Sequence, residues 1–190
     1  MIVSRARGFV FAHVPKTGGI SVRAALAPFE DCRLRDMETH DTLAALLARH
    51  PETQALFKFA FVRNPWDRMV SFHAYARRYL ARAMPVFGTL SFDAMLRALD
   101  RGEAWTRTIH AFRPQGEIAS GADFTGRFER LAADFARACR HVGIAPALPC
   151  KNATEHRPYS ACYNNWGRDF VAARYADDVA AFGYRFGVAG

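Results

Sequence analysis

The sequence predicts an α/β fold in which a central, mostly parallel sheet is flanked by helices. A hydrophobic segment over residues 7–14 runs into a glycine-containing turn and a helical pattern over 18–28. A second helical pattern, over 41–50, carries leucines on one stripe. Another hydrophobic segment, over 57–63, then leads into a long helical pattern over 65–83. This strand–helix–strand order is typical of parallel strands joined by helical crossovers.

The rest of the chain continues this pattern and shows no internal repeat or second domain. At 190 residues the chain has the size of one compact unit, so we expect residues 1–190 to form a single domain. The further predicted elements are a helix over 91–101, a short strand over 124–128, a helix over 129–142 and a helix over 167–182, with loops near 102, 114–123 and 144–166.

The turn after the first strand has the composition of an anion site. Gly18 and Gly19 allow the backbone to turn sharply and to approach a ligand closely, and the helix that follows directs unpaired N–H groups at the same point. Lys16 adds a positive charge, and Thr17 and Ser21 add hydroxyl groups. The lysine precedes the glycines, so this loop is not the G-x-x-x-x-G-K-[ST] loop of ATPases.

A second anion site is predicted where the strand over 57–63 ends. Arg63 lies at that end, and Pro65 starts a helix that carries Ser71 about two turns further on. Ligands of open parallel sheets gather beyond the carboxyl ends of the strands. If the two strands are neighbours, Arg63 and the Lys16 loop face one crevice. Two separated anion sites imply a ligand with two separated phosphates.

Two segments resemble the signatures of sulfotransferases that use 3'-phosphoadenosine-5'-phosphosulfate, in particular the carbohydrate 2-O-sulfotransferases. They are His13-Val-Pro-Lys-Thr-Gly-Gly-Ile-Ser21 and Phe61-Val-Arg-Asn-Pro-Trp-Asp-Arg-Met-Val-Ser71. The resemblance continues through Gly126-Arg-Phe-Glu-Arg-Leu131, Asn152-Ala-Thr154, Arg157-Pro-Tyr159 and Phe182-Gly-Tyr-Arg-Phe186. It therefore covers nearly the whole chain and implies a three-layer fold similar to that of P-loop proteins.

The resemblance also implies which residues bind the sulfate donor, whose product is adenosine 3',5'-bisphosphate. The lysine loop would hold the 5'-phosphosulfate, a pair of residues the 3'-phosphate, and a late loop would cover the nucleotide. These three sets are Lys16, Thr17, Gly18, Gly19, Ile20 and Ser21, then Arg63 and Ser71, and finally Lys151, Asn152 and Thr154. Ile20 replaces a threonine or small residue of the family, and Cys150 replaces a frequent histidine. The resemblance implies no metal.

Sulfuryl transfer to a hydroxyl requires a base, for which histidine is suited at neutral pH. The spacing between His40 and Arg63 resembles that of the catalytic histidine in carbohydrate sulfotransferases, so we expect His40 to be the base, with Lys16 as the second catalytic residue. The alternative is that His40, with Thr39 and Asp41, only caps the following helix. We expect His13 to brace the lysine loop, whereas His156 lies in the late polar loop.

The formal net charge of +8 bears on the partners of this chain. Only Lys16, Lys58 and Lys151 are lysines, which leaves 23 of the 26 basic residues as arginine. Arginine suits phosphate, sulfate and carboxylate, so these residues fit either an anionic acceptor or an ordinary solvated surface. No helix-turn-helix, zinc-finger or aromatic RNA-binding pattern is present, so we expect no nucleic-acid partner.

Composition also gives expectations about the compartment. No apolar segment reaches the roughly 18 residues that span a bilayer, and the N-terminal residues lead directly into the first strand without a signal-peptide pattern. The four cysteines show no C-x-x-C spacing, so neither a zinc site nor a disulfide framework is indicated. We therefore expect a cytoplasmic protein without a membrane span. The sequence predicts no particular oligomeric state.

These observations together predict a sulfotransferase that acts on a hydroxyl group, with a carbohydrate as the expected acceptor. Two alternatives remain open at this point. One is a P-loop-type phosphotransferase that uses ATP and magnesium. The other is a non-catalytic binder of an anionic glycan or a nucleotide. The acceptor pocket is expected between about residues 75 and 123 and in the late loop.

Overall fold

The structure is a computed structural model that describes residues 1–145, 147–149 and 157–188. Backbone contacts divide the chain into two compact units. The first comprises Met1–Arg63 and Gln115–Asn152, and the second comprises Asn64–Pro114 and Ala153–Gly190. The expectation of a single domain stays a prediction.

The described residues form four strands and nine α-helices. The strands are β1 (Ile2–Ser4), β2 (Phe9–Ala12), β3 (Phe57–Val62) and β4 (Phe124–Arg127). The helices are α1 (Gly19–Leu26), α2 (Leu43–Arg49), α3 (Pro65–Tyr75), α4 (Val86–Thr89), α5 (Phe92–Asp100), α6 (Gln115–Ala119), α7 (Leu131–His141), α8 (Asn165–Arg174) and α9 (Ala176–Phe182). Within these residues, no helix is both long and apolar enough to cross a bilayer.

The first unit contains the whole sheet, in the order β1-β2-β3-β4. β2, β3 and β4 are parallel, with Ala12 opposite Ala60 and Ala60 opposite Thr125. β1 pairs antiparallel with β2. The predicted α/β fold with a mostly parallel sheet is therefore confirmed. β1 was not predicted, because three residues are too few to show a periodic pattern.

Helices cover both faces of this sheet, as the continuous hydrophobic sequences of β2 and β3 require. Since successive strand residues point to opposite faces, the phenylalanines of the two strands collect on one face and their smaller residues on the other. The phenylalanine face packs against α1 and α7 through Phe9, Phe11, Phe59, Phe61, Val22, Leu26 and Phe135. The other face packs against α2 and α6 through Val10, Ala12, Ala60, Leu43, Leu46 and Ile118.

The second unit begins with α3, which has a well-defined N-terminus. The Asn64 side chain accepts a hydrogen bond from the Trp66 N–H at 3.1 Å, and Pro65 occupies the first helical position. The predicted helix over 65–83 is shorter as an α-helix than expected. It changes at residues Ala76–Leu80 into a π-helical turn that leaves Arg77 and Arg78 exposed.

Two further predicted elements differ in detail from the structure. The predicted loop over 114–123 contains the five-residue helix α6. The predicted helix over 167–182 is divided into α8 and α9 at Tyr175, whose backbone leaves the helical region at φ −114° and ψ 33°. The Tyr175 hydroxyl is buried and donates to the Phe112 carbonyl at 3.1 Å. This tertiary contact fixes the break, and it has no signal in the local sequence.

Arg68 on α3 is a structural anchor of the second unit. Its side chain is fully buried, and its Nη2 donates to the carbonyls of Ala111 and Arg113 at 2.9 and 2.8 Å. Its guanidinium also lies over the Tyr175 ring, 5.9 Å from the ring centroid. Arg68 therefore holds the segment around 111–113 against α3.

We predict that Arg68→Met lowers the free energy of unfolding by about 2–4 kcal/mol, because a buried and a partly buried carbonyl lose a charged donor. Urea denaturation measures this change. Arg82→Met serves as the control, since Arg82 is exposed and its loss should change stability by less than about 0.5 kcal/mol. Equal stability of the two variants would contradict the anchoring role.

Candidate functional site

The loop between β2 and α1 has an unusual backbone. Lys16 adopts φ 69°, and among the described residues it alone has a positive φ without being glycine. Gly18 follows at φ 78° and is the residue that precedes α1, where its carbonyl accepts from the N–H groups of Ser21 and Val22 at 3.0 and 3.3 Å. Left-handed conformations of side-chain-bearing residues are costly and occur at functional sites. The loop is therefore held in a conformation that its neighbours must stabilise.

Both glycines of this loop are required by close packing. A Cβ atom at Gly19 would lie 2.0 Å from the His13 ring, and one at Gly18 would lie 2.5 Å from Leu131 Cδ2 and 3.3 Å from the Phe128 ring. No side chain fits at these distances without displacing its neighbours. The two glycines were predicted to allow the close approach of a ligand, and protein side chains approach them closely as well.

The other predicted residues of the loop differ in exposure. Thr17 is fully buried, and its hydroxyl donates to the Val14 carbonyl at 2.9 Å, which ties the loop to the end of the strand. Ser21 is buried, whereas Ile20 is 43% exposed. The predicted contacts of all three residues with the sulfate donor stay predictions. Thr17 contributes to the shape of the loop through its own hydrogen bond.

Arg63 lies at this loop, as the sequence predicted for two neighbouring parallel strands. Its Nη1 donates to the Lys16 carbonyl at 3.3 Å. Its guanidinium carbon lies 3.9 Å from the centroid of the Phe128 ring, within the range of a cation–π contact. Arg63 is 94% buried, so its guanidinium has little contact with water. Lys16 places a second positive charge near it.

The surroundings of Lys16 change the pKa of its ammonium. Burial, followed by the positive charge of Arg63, lowers the pKa of its ammonium from 10.5 to about 8. Both causes disfavour the charged form, so the folded protein holds a charged Lys16 at a cost below pH 8. A bound anion would reverse both effects, because it replaces the lost hydration and offsets the charge of Arg63.

His40 is oriented by the backbone of the residue that precedes the loop. Its Nδ1 lies 2.9 Å from the His13 carbonyl oxygen, which can only accept a hydrogen bond. Nδ1 therefore carries the proton, and in the neutral ring Nε2 carries the lone pair. The half-buried imidazole also packs against the His13 ring, with the centroids 4.6 Å apart.

The segment around His40 is fixed by its neighbours and not by helix capping. Thr42 is the residue that caps α2, since its hydroxyl accepts from the Ala45 N–H at 3.0 Å. Arg23 of α1 donates to the Thr39 hydroxyl at 3.2 Å. The alternative that His40, Thr39 and Asp41 cap the helix is therefore wrong. The catalytic role of His40 stays a prediction.

His13 packs against both the lysine loop and His40. It is 6% exposed, and burial, followed by the proximity of His40, lowers its pKa well below the usual value for histidine. Its ring is therefore neutral at physiological pH. Its Nδ1 is buried without a hydrogen-bond partner among the described residues. The expected bracing role agrees with this position, because the ring fills the space beside Gly19 and its carbonyl orients His40.

The remaining predicted residues lie in the second unit or outside the described residues. Ser71 belongs to the second unit, where it is 3% exposed on α3. Lys151, Asn152 and Thr154 lie outside the described residues, as do His156 and Cys150. Their roles stay predictions. Among the described residues, no group of three or more His, Cys, Asp or Glu side chains is arranged to hold a metal ion.

Sequence reasoning missed two residues that contact the site. Phe128 supplies the aromatic face for Arg63 and contacts the loop near Gly18. Its signal was present, since it lies in the Gly126–Leu131 segment that carries the family resemblance. Gln115 binds the backbone of Arg63 through both ends of its amide, at 2.8 Å each. It had no local signal, because it lies 52 residues away in a predicted loop.

The sequence of this chain is similar to those of known proteins. Residues 1–185 match the model that describes the sulfotransferase family. Carbohydrate sulfotransferase 14 from mouse (Mus musculus) and from human (Homo sapiens) are each 28% identical to this chain over 197 residues, which cover 84% of this chain and 51% of each relative. This chain thus spans about half the length of these curated relatives. No solved structure matches it significantly.

The family match includes both segments that supply the clustered side chains. It contains the Lys16 loop and the Arg63 strand end, which the structure brings within hydrogen-bond distance of each other. It also contains His40 and the buried His13 that orients it. A match over 185 of 190 residues leaves little of the chain outside the shared pattern. This chain belongs to the sulfotransferase family.

Proposed function

We propose that this chain transfers a sulfuryl group from 3'-phosphoadenosine-5'-phosphosulfate to a hydroxyl group of a carbohydrate. The observation that carries the proposal is the convergence of Lys16 and Arg63. Two cations from neighbouring strands lie at one edge of the sheet, where the Arg63 guanidinium reaches the Lys16 carbonyl at 3.3 Å. Ligands of parallel α/β sheets bind at this edge.

The residues present fit a phosphorylated donor. Burial and the charge of Arg63 both lower the pKa of Lys16, so both disfavour its charged form. A bound anion would offset both the burial of the ammonium and the charge of Arg63. A neutral ligand or a further ammonium would not do this. The loop residues from Lys16 to Ser21 would hold the 5'-phosphosulfate, and Arg63 with Ser71 the 3'-phosphate. Lys151, Asn152 and Thr154 would complete the nucleotide site.

In the proposed mechanism, the acceptor oxygen would form a bond to the sulfur of the donor while the bond from sulfur to the 5'-phosphate oxygen breaks, and adenosine 3',5'-bisphosphate would leave. His40 accepts the proton of the acceptor hydroxyl at Nε2, since its Nδ1 proton is held by the His13 carbonyl. Lys16 stabilises the negative charge that develops on the leaving phosphate oxygen. The partial burial of Lys16 strengthens this interaction, because a less polar environment screens charge less.

A carbohydrate acceptor is supported by the similarity to the two carbohydrate sulfotransferases. The arginine content of the chain, 23 of 26 basic residues, fits an acceptor that is itself anionic. We further propose a cytoplasmic location and independence from metal ions.

Nucleotide selectivity tests the proposed donor. Adenosine 3',5'-bisphosphate without metal should raise Tm more than 5'-AMP or ATP with magnesium at equal concentration, because it alone supplies both phosphates. At 100 times its Kd, a ligand adds about 2.7 kcal/mol of stability. Stabilisation only by ATP with magnesium would favour phosphoryl transfer instead. No response to any nucleotide would overturn the proposed donor.

Substitution of Lys16 should separate activity from stability. We predict that Lys16→Gly lowers the transfer rate by about 10²–10³-fold, the range typical of one lost charge-stabilising group. Its Tm should not fall, because glycine relieves the left-handed strain of about 1 kcal/mol and the burial of a charge. Transfer assays with thermal denaturation measure both. Unchanged turnover would contradict the role of Lys16.

The pKa of Lys16 also predicts a pH dependence. Lys16 is charged below its pKa of about 8, so affinity for adenosine 3',5'-bisphosphate should be full at pH 7 and decline as the pH rises through 8. Lys16→Arg provides the matched control, since a guanidinium stays charged throughout this range. Titration calorimetry between pH 7 and 9 should therefore show a decline for the wild type and a flatter profile for Lys16→Arg. Identical profiles would assign the decline to another group.

The proposed base is tested by His40→Gln, which should lower the turnover rate by about 10²–10⁴-fold at saturating donor. Affinity for adenosine 3',5'-bisphosphate should change little, because His40 acts on the acceptor and not on the nucleotide. His141→Gln is the control, since His141 is exposed and stacks on Phe57 at the opposite end of β3 from Arg63. Full turnover in His40→Gln would exclude His40 as the base.

A further inference from the structure

Gln115 makes an unusual contact with the candidate site. It is the first residue of α6, and its side chain is fully buried. Its Oε1 accepts a hydrogen bond from the Arg63 N–H at 2.8 Å, and its Nε2 donates to the Arg63 carbonyl at 2.8 Å. One side-chain amide thus binds both polar groups of a single backbone residue.

Arg63 needs this partner because it lies just beyond the sheet. The last residue pair between β3 and β4 is Val62 with Arg127, so Arg63 has left the pairing that satisfies strand backbones. Its side chain and surroundings are buried, where unpaired N–H and C=O groups cost about 1–3 kcal/mol each. The Gln115 amide replaces a neighbouring strand at this residue and extends the ordered backbone of β3 by one position.

Few side chains could make this contact. It requires a donor and an acceptor side by side, which only the primary amides of glutamine and asparagine provide without a charge. Asparagine is one methylene shorter. Glutamate would present two acceptor oxygens, one of them against the Arg63 carbonyl. The contact is therefore specific in length and in chemistry.

The side chain of Arg63 depends on this backbone position. Its guanidinium is held between the Phe128 ring at 3.9 Å and the Lys16 carbonyl at 3.3 Å. Both contacts require the Cα atom to stay in place, because a displacement of about 1 Å is enough to break a well-aligned interaction. Gln115 fixes the backbone end of this arrangement, while Phe128 and Lys16 fix the charged end.

We propose that Gln115 is a positioning residue that gives the site its preference for nucleotides with a 3'-phosphate. It does so by holding the backbone of Arg63, and it touches no ligand itself. This inference rests on the proposed function, in which Arg63 binds the 3'-phosphate. Loss of the Gln115 contacts should weaken only the part of binding that Arg63 supplies.

The test compares two nucleotides that differ only in the 3'-phosphate. Titration calorimetry gives the Kd of adenosine 3',5'-bisphosphate and of 5'-AMP for the wild type, Gln115→Met and Gln54→Met. The nucleotide preference is the Kd of 5'-AMP divided by the Kd of adenosine 3',5'-bisphosphate. In Gln115→Met this ratio should fall about tenfold or more, the effect of one charged hydrogen bond. The Kd of 5'-AMP itself should change less than about threefold. Gln54→Met, at an exposed glutamine, should keep the wild-type ratio.

A double substitution shows whether Gln115 acts through Arg63. Once Arg63→Ala has removed the guanidinium, Gln115→Met should cause no further loss of the nucleotide preference. Additive losses, or equal weakening of both nucleotides in Gln115→Met, would overturn the inference and assign Gln115 a general structural role. If Gln115→Met does not fold, Gln115→Asn takes its place, since it keeps an uncharged donor and acceptor but is one methylene too short to reach both Arg63 backbone groups.

The same data separate this inference from the proposed function. A wild-type protein that does not distinguish the two nucleotides would overturn both. A wild-type protein that prefers adenosine 3',5'-bisphosphate, together with a Gln115→Met variant that keeps this preference, would overturn only the role of Gln115.

Discussion

The parallel pairing of β2 with β3 is the constraint on which the rest of the candidate site depends. With Ala12 opposite Ala60, both strands end at one edge, and the residues that follow them must share that space. Lys16 and Arg63 are thereby brought together, although like charges repel each other. The Arg63 guanidinium donates to the Lys16 carbonyl and lies over the Phe128 ring. A region that is preorganised in this way is suited to bind an anion.

This preorganisation has a cost in stability. Lys16 adopts a left-handed backbone conformation, and its burial disfavours its charge. Gly18 and Gly19 leave no space for a side chain, because Leu131, Phe128 and His13 pack closely against them. Such strain persists only where the surroundings stabilise it, and here the surroundings are the well-packed core on the phenylalanine face of the sheet. The strained loop and the rigid core are therefore two parts of one arrangement.

Hydrogen bonds between a side chain and a backbone group orient His40 and Arg63. The His13 carbonyl sets which nitrogen of His40 carries the proton. Gln115 holds the N–H and the carbonyl of Arg63. In both cases the oriented side chain lies in a segment distant in sequence from the group that orients it, so the site is stable only when the first unit is folded. A substitution that leaves His40 or Arg63 intact can still displace its functional atoms.

The sequence by itself determined the α/β class, the lysine loop, the Arg63 strand end and the family, because these depend on local patterns of hydrophobic residues, glycine and charge. It also indicated His40, but it left open a capping role that the structure assigns to Thr42. Only the tertiary structure decided the partners: His13 with His40, Phe128 and Gln115 with Arg63, and Tyr175 with the break between α8 and α9. The physical reason is that these contacts join residues far apart in sequence, and their distances are set by how helices pack on the sheet and on one another.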